Sequence, residues 1–368
     1  MTSINRDVSA PSTGIKDVAT RAGVSVGTVS NVLNRPDRVS EPTRSRVQQA
    51  IDDLGFVRNE SGRQLRAGRS RMIAYLGLAV TNPYFTDVAR GIEEVARSHG
   101  LAVFLGNSDR DPSREAEYLE MLLEQRVRGV IVSPFAELTE QFLQLRSRGV
   151  AVTLVGSTLG PEWCSAAVDD VVGGEVAVNH LLEQGHRHIA FVGGVLHARC
   201  VADRLVGARL ALARAGHDPD SLTVIETAGL RIDEGRQAGA RIVQLPPATR
   251  PTAVFCANDL IAIGLLQHLT QTEVDVPGEL AIIGYDDIEF AGAAAVPLST
   301  IRQPRELLGH TAAELLLAET TTPEEHVHEQ VVFPPELVVR ASTELTRGRR
   351  RSQVRGAGKL AVSPLAST

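Results

Sequence analysis

The sequence predicts a small all-α helix-turn-helix head followed by an α/β body of two lobes built on parallel sheets. Three observations carry that expectation. Apolar residues recur at helical spacing three times within residues 14–56. From Met72 onward, uninterrupted Val, Ile, Leu and Ala runs alternate with helical stretches. Charge is uneven: residues 1–71 carry 12 Lys and Arg against 7 Asp and Glu, although the chain of 368 residues has a net charge of −6. A basic N-terminal segment on an acidic body suits a nucleic-acid-binding head with a separate soluble body.

Residues 1–13 are expected to be disordered. The opening MTSINRDVSA lacks the apolar core of a secretory signal, and the chain has no run of 18 or more apolar residues. A cytoplasmic protein without membrane contact is therefore expected.

The head is assigned to residues 14–58. Ile15, Val18, Ala19 and Ala22 line one face of a first helix, with Gly14 as N-cap, Asp17 in the first turn and Gly23 as terminator. Ser25 caps a second helix whose Val29, Val32 and Leu33 face the same core, and Asn34-Arg35-Pro36 stops it. The short connection is that of a helix-turn-helix. Ser40-Glu41-Pro42 opens a third helix with Val47, Ala50, Ile51 and Leu54 inward and Gly55 at its end. By pattern alone, such a unit also suits a protein-interaction module.

Residues 59–71, within VRNESGRQLRAGRSR, read as a hinge or linker. The body spans 72–343. Its strand runs include MIAYLGLAV, LAVFLGNS, GVIVSPF, VAVTLVG, HIAFVGG, TAVFCAND and LAIIGYDD, with polar residues gathered at their C-terminal ends. Ligands of open α/β sheets bind beyond those ends. Asn82-Pro83-Tyr84-Phe85, Asn107-Ser108-Asp109, Asn258-Asp259 and Asp286-Asp287 are thus candidates to line one cleft, where carboxylates and amides would bond hydroxyls and aromatic rings would stack. Each also suits a helix N-cap or turn, the preferred reading for Asp259 and Asp287. Residues 344–368, with RGRRRSQVRGAGK, read as a basic disordered tail.

Catalytic signatures are missing: no GxxxxGK[ST], GxSxG or HExxH, and no GxGxxG after the first strand. No enzyme activity and no cofactor are expected. Cys164, Cys200 and Cys256 are widely spaced and read as buried reduced thiols. His186-Arg187-His188 and His326-Val327-His328 bring no third ligand at helical or hairpin spacing, so no metal site is expected.

The run IKDVATRAGVSVGTVSNVLNRPDRVSEPTRSRVQQAIDDLGFVRNESGRQLRAG resembles the head of the lactose/galactose repressor (LacI/GalR) family, through DVA, AGVS, TVS, VLN, VSEPTR and RQL. The body resembles the same family, and through it the periplasmic sugar-binding proteins, at NPYF, NSDRDPSREAEYLE, RGVIVSP, LLEQGHRHIAFVGG, PTAVFCANDLIAIG and VPGELAIIGYDDIEF. The resemblance implies a transcriptional regulator, a repressor, that binds a pseudo-palindromic operator on double-stranded DNA as a homodimer or dimer of dimers. It implies control by a small effector, a sugar or sugar derivative, held between two lobes. A solute-binding protein, or a sugar- or nucleotide-acting enzyme on a Rossmann-like body, is the alternative.

Residue by residue, the resemblance places Val26, Gly27 and Asn31 where base-reading side chains project, with Ser25 as cap and Thr28 and Ser30 at phosphate or bracing positions. Leu65 matches the leucine that hinge helices wedge into the minor groove. Arg58 and Gly62 depart from the usual proline and alanine, and glycine weakens a hinge helix by about 1 kcal/mol. Ligand-facing positions fall on Asn82, Tyr84, Phe85, Asp169, Arg204, Asn258, Asp286 and Gln303. Leu230 stands where an aromatic residue is frequent, which removes a stacking platform.

Overall fold

A computed structural model describes residues 13–56, 70–134, 140–194 and 198–344. The chain forms two compact units, Met1–Arg69 and Ser70–Thr368. The expectations for residues 1–12, for Arg58, Gly62 and Leu65 in the hinge, and for the tail from residue 345 lie outside the described residues.

The head contains α1 (Ile15–Ala22), α2 (Val26–Asn34) and α3 (Glu41–Leu54). Gly14 caps α1 with Asp17 Oδ2 accepting from its backbone N–H at 2.8 Å, and Gly23 ends it at φ 63, a left-handed conformation that glycine adopts at little cost. Ser25 Oγ accepts from Thr28 N at 3.1 Å and so fixes the start of α2. Val18, Ala19, Ala22, Val29, Val32, Val47 and Ala50 are buried together, with Ile15, Leu33, Ile51 and Leu54 packed at the margin. The inward stripes read from the sequence therefore converge on one small core.

Two six-stranded sheets build the body. The first is parallel throughout and contains β1 (Met72–Gly77), β2 (Ala102–Asn107), β3 (Gly129–Val132), β4 (Ala151–Val155), β5 (Cys164–Val168) and β11 (Gln330–Phe333), in the order β11-β5-β4-β3-β1-β2. The second contains β6 (Ile189–Gly193), β7 (Thr223–Glu226), β8 (Ala253–Cys256), β9 (Ala281–Asp286), β10 (Ser299–Arg302) and β12 (Glu336–Val338), in the order β12-β10-β9-β8-β6-β7. Only β12 there is antiparallel. Along β1, Ile73 and Tyr75 enter one apolar cluster while Ala74 and Leu76 enter another. Both faces of the sheet are covered, which is why the strands read as unbroken apolar runs.

Helices α4 (Pro83–Ser98), α5 (Pro112–Glu124), α6 (Glu140–Ser147) and α12 (Arg305–Thr321) belong to the first lobe, and α7 (Asp170–Glu183), α8 (Arg199–Arg214), α9 (Ile232–Val243), α10 (Asp259–Gln271) and α11 (Glu289–Ala293) to the second. The chain crosses between lobes after β5, after β10 and after β11. Helices α4 and α12 pack in close approach through Gly91 and Gly309, where an added Cβ would lie 2.0 Å from the carbonyl oxygens of Glu306 and Val88 respectively. No helix among the described residues is long and apolar enough to cross a membrane.

Candidate functional site

Two surfaces carry the expected chemistry, one in each unit. On α2, Val26 is 42% exposed, and Gly27 and Asn31 are exposed beside it. A Cβ at Gly27 would meet only Ser25 Oγ, at 3.6 Å, so packing does not demand glycine there. Thr28 is half-buried and its hydroxyl lies 2.9 Å from that of Ser25, which makes it a brace for the helix start. Ser30 is half-buried as well, and its hydroxyl accepts from Asn34 Nδ2 at 3.2 Å. The exposed face of α2 thus offers one small apolar group, one bare backbone position and one amide able to pair bidentately with adenine.

In the body, a cavity of about 410 Å³ lies between the lobes at the carboxyl ends of the strands. Asn82, Tyr84 and Phe85 enter it from the first lobe; Arg204, Leu230, Asn258, Asp286 and Gln303 line it as well. Several owe their placement to helix capping. Asn82 Oδ1 accepts from Tyr84 N at 3.1 Å at the start of α4, and Asn258 Oδ1 accepts from Ile261 N at 3.0 Å at the start of α10. The cap and the cavity wall are the same residue, because a strand's carboxyl end and the next helix's amino end open on one cleft.

Asp286 is the centre of the polar wall. Its Oδ2 accepts from Asn82 Nδ2 at 3.2 Å and its Oδ1 from Gln303 Nε2 at 2.8 Å, a network that joins the two lobes. Burial pushes its carboxyl above the ordinary range, while Arg204, Asn82, Gln303 and Arg305 pull it back. Arg204 is buried, with Nε donating to Asp170 Oδ1 at 2.8 Å, Nη1 to the Ala257 carbonyl at 2.6 Å, and its guanidinium 3.6 Å from the Tyr285 ring centre. Burial opposes its charge, but Asp170, Tyr285, Cys200 and Asp286 outweigh burial and hold it charged. Tyr84 and Phe85 meet edge to face at 5.0 Å and form the aromatic wall. Leu230 makes the opposite wall aliphatic.

Two further contacts tie the lobes. Arg231 Nη2 donates to Asp109 Oδ1 at 2.9 Å. Arg305, at the first turn of α12, donates to Asp87 Oδ2 at 2.8 Å and to the carbonyls of Asp286 and Asp287.

Some positions differ from expectation. Asp169 Oδ1 accepts from Val172 N at 3.0 Å as the cap of α7, and the residue lines an adjoining pocket that shares Asp170, Arg199 and Cys200 with this cavity, while Asp170 reaches the cavity itself. Asn107 braces a turn, accepting from Val80 N at 3.2 Å and Asp109 N at 3.3 Å. Asp259 accepts from Thr300 Oγ1 at 2.6 Å and Ile288 N at 2.9 Å, while Asp287 pairs with Arg302 and Arg340 at 2.7 Å each, so both are structural. Sequence reasoning missed Arg110, Ser133, Ser157, Asp170, Arg199 and Cys200, all of which line the cavity. Ser133, Ser157 and Asp170 follow apolar strand runs and obey the same strand-end rule. Arg110 sits at φ 58 in a loop, which no periodicity reveals.

All three cysteines are free; Cys164 and Cys256 are buried, whereas Cys200 is half-buried in the cavity wall. His186 meets Thr252 Oγ1 at 3.0 Å and is satisfied. His326 and His328 are not a lone surface pair. Cys164 Sγ lies 3.0 Å from His326 Nε2 and 3.6 Å from His328 Nδ1, and Glu319 is close enough to complete a set of four donors.

Comparison with known proteins agrees with this architecture. Residues 14–59 match the family described as bacterial regulatory proteins, lacI family, and residues 178–343 match a periplasmic binding protein-like domain. The HTH-type transcriptional repressor PurR of Vibrio campbellii (strain ATCC BAA-1116) is 35% identical over 333 residues, 89% of this chain and 97% of that protein. Among solved structures, the lac repressor dimer bound to operator and the anti-inducer ONPF is similar at a TM-score of 0.77 and 27% identity, covering 90% of this chain and 99% of its own. The complex of the transcriptional regulator CelR with cellobiose is similar at a TM-score of 0.67 and 30% identity, covering 90% of this chain and 99% of its own. With a helix-turn-helix head, a two-lobed body and relatives matched along nearly their whole length, the chain belongs to the lacI family of bacterial regulatory proteins.

Proposed function

We propose that this chain is a repressor that binds a pseudo-palindromic operator as a homodimer, or a dimer of dimers, and that a sugar or sugar derivative held between the lobes sets its affinity for that operator. One observation carries the effector reading: a buried carboxylate, Asp286, sits in an inter-lobe cavity of about 410 Å³, flanked by amides from Asn82 and Gln303 and by Arg204. Carboxylates and amides so placed suit bidentate bonding to hydroxyls, and Tyr84 with Phe85 gives an apolar wall for a sugar face. The cellobiose held by CelR supports the same class. The aliphatic Leu230 argues for an effector gripped by its hydroxyls more than by stacking.

The same contacts supply a mechanism. Asn82 with Asp286, Asp109 with Arg231, and Arg305 with the Asp286 carbonyl all span the lobes, so a ligand that bonds both lobes changes the free energy of their closure. Closure changes how paired first lobes sit, and thereby whether the hinges around Leu65 can order on DNA. The ligand shifts operator affinity only by its differential affinity for the two arrangements, typically about 5–150-fold. In the head, Asn31 reads a base, Val26 packs against a thymine methyl, Gly27 lets the backbone approach, and Ser25, Thr28 and Ser30 position the helix on phosphates. The chemistry is binding throughout, with no catalytic role for any residue.

A second reading, an effector carrying a phosphate or carboxylate, is favoured by Arg110. This arginine lines the cavity and pairs with no carboxylate among the described residues. A thermal-shift screen of the purified full chain against sugars, sugar phosphates and nucleobases separates the readings. A true effector stabilises the folded chain by about 2.7 kcal/mol at a hundred times its Kd. Response to neutral sugars supports the first reading, response to phosphorylated sugars alone the second, and response to nucleobases alone overturns both.

A further inference from the structure

We propose that Cys164, Glu319, His326 and His328 form a tetrahedral site for a zinc-class divalent cation, separate from the effector cavity. Three segments remote in sequence build it. Cys164 opens β5, Glu319 stands near the end of α12, and the two histidines lie on the stretch that leads into β11. That stretch runs alongside β5: Ser165 N donates to the Glu329 carbonyl at 2.9 Å, and Gln330 pairs with Ser165 in parallel register. In extended chain, residues i and i+2 face the same way. His326 and His328 therefore both turn toward Cys164, while Val327 between them is 76% exposed. Fold topology supplies the third and fourth ligands that sequence spacing could not.

The donor set and its geometry fit the ion. All four ligand atoms lie within 4.8 Å of one another. A tetrahedral ion with Zn–S near 2.3 Å and Zn–N near 2.0 Å holds sulfur and nitrogen about 3.5 Å apart. Cys164 Sγ lies 3.6 Å from His328 Nδ1 and 3.0 Å from His326 Nε2, so one edge already matches and the other opens slightly on binding. Glu319 gives an independent sign: its Oε2 is buried and has no hydrogen-bond partner. A buried carboxylate oxygen without a donor is costly, and a cation beside it removes that cost.

Charge balances as well. Binding releases the Cys164 thiol proton to solvent, and one thiolate, one carboxylate and two neutral imidazoles around a divalent ion sum to zero. The neighbouring cation Arg146 is engaged elsewhere, 5.2 Å from the Trp163 ring centre and 3.2 Å from the Glu162 carbonyl. The site lies at the opposite end of β5 from Val168, which lines the effector cavity, a strand length of about 13 Å. An ion there would pin β5, the end of α12 and the approach to β11 together in the first lobe.

Cobalt reports on the site directly. The full-length chain is stripped with chelator and titrated with Co²⁺, following thiolate-to-metal charge-transfer and tetrahedral d–d absorption, and then with competing Zn²⁺. The expected result is one Co²⁺ per chain with both bands, displaced by Zn²⁺. A His326→Ala/His328→Ala variant, altered only on half-exposed side chains, should keep its circular dichroism, lose the tetrahedral spectrum and bind Zn²⁺ at least about a hundredfold more weakly. Cys164→Ser should remove the charge-transfer band alone if it folds. Absence of both bands from the folded parent chain, or an unchanged spectrum in the folded double variant, overturns the site.

Discussion

Replacing Asp286 by Asn tests the polar wall of the cavity with the least disturbance. Asp286 has φ 111, a backbone region that Asn shares with Asp far better than Ala does, so the substitution alters charge and hydrogen bonding without adding strain. Both carboxylate oxygens accept from amides, Oδ2 from Asn82 and Oδ1 from Gln303. Asparagine has one acceptor oxygen and one donor NH₂, so one neighbouring amide would face another donor. Leaving one buried donor unmatched costs about 1–3 kcal/mol of stability. An effector hydroxyl that used the carboxylate loses a charge-assisted bond of about 1.5–3 kcal/mol, or roughly 10–150-fold in affinity. Urea unfolding reads the first effect and titration calorimetry the second. Operator affinity without effector is measured alongside, because the Asn82–Asp286 bond spans the lobes and weakening it shifts their closure as well. Effector affinity within about twofold of the parent, in a folded variant, would refute the role given to Asp286.

Other consequences are equally open to measurement. Gly309→Ala puts a Cβ 2.0 Å from the Val88 carbonyl oxygen and should lower unfolding stability by about 1–3 kcal/mol; an unchanged denaturation midpoint rejects the close packing of α4 on α12. Burial, ahead of the repulsion from Asp286, raises the Asp259 carboxyl well above the usual carboxylate value. The folded state therefore binds that proton more tightly, so the stabilisation is full below the usual carboxylate pKa and is lost as pH rises through the raised one. Asp259→Asn should flatten that decline in a series of urea midpoints, leaving the same-signed contribution of Asp286; an unaltered slope contradicts it. In the head, Asn31→Ala should lose about 1–3 kcal/mol of discrimination at one A·T position in competition binding with variant operators, whereas equal loss on every sequence would demote it to a phosphate contact. Gly27→Ala should raise the thermal unfolding stability of the head by up to about 1 kcal/mol while altering its preference among operators; a destabilised head would show that packing demands glycine there.

Much of this molecule was legible from periodicity. The inward residues of all three head helices and the unbroken apolar strands followed from spacing alone, because their burial is local to one helix face or one sheet. Strand-end polarity pointed to the cavity, since Asn82 and Asn258 follow strands and Asp286 ends one, and the residues flanking them came from the family resemblance. At the start of α7 two consecutive aspartates divide the work, Asp169 capping the helix beside an adjoining pocket and Asp170 reaching the main cavity, a division that only the backbone decides. Arg110 escaped because a loop places it, and Cys200 because it stands in the first turn of α8, where helical periodicity does not mark a cavity wall. Cys164, Glu319, His326 and His328 escaped because parallel pairing of β5 with β11 joins residues more than 160 positions apart, as in the separation of Cys164 from His328. No reading of local spacing reaches across such a pairing.

The most direct test of the central claim is a selection of bound fragments from a random-sequence DNA pool by the full-length chain and by a chain lacking residues 1–58. The full chain should enrich a pseudo-palindromic site whose half-sites lie about one helical turn, roughly 34–36 Å, apart, and the shortened chain should enrich nothing. Enrichment of the same site by the shortened chain, or no enrichment by the full one, would contradict a DNA-reading head governed by a ligand-binding body.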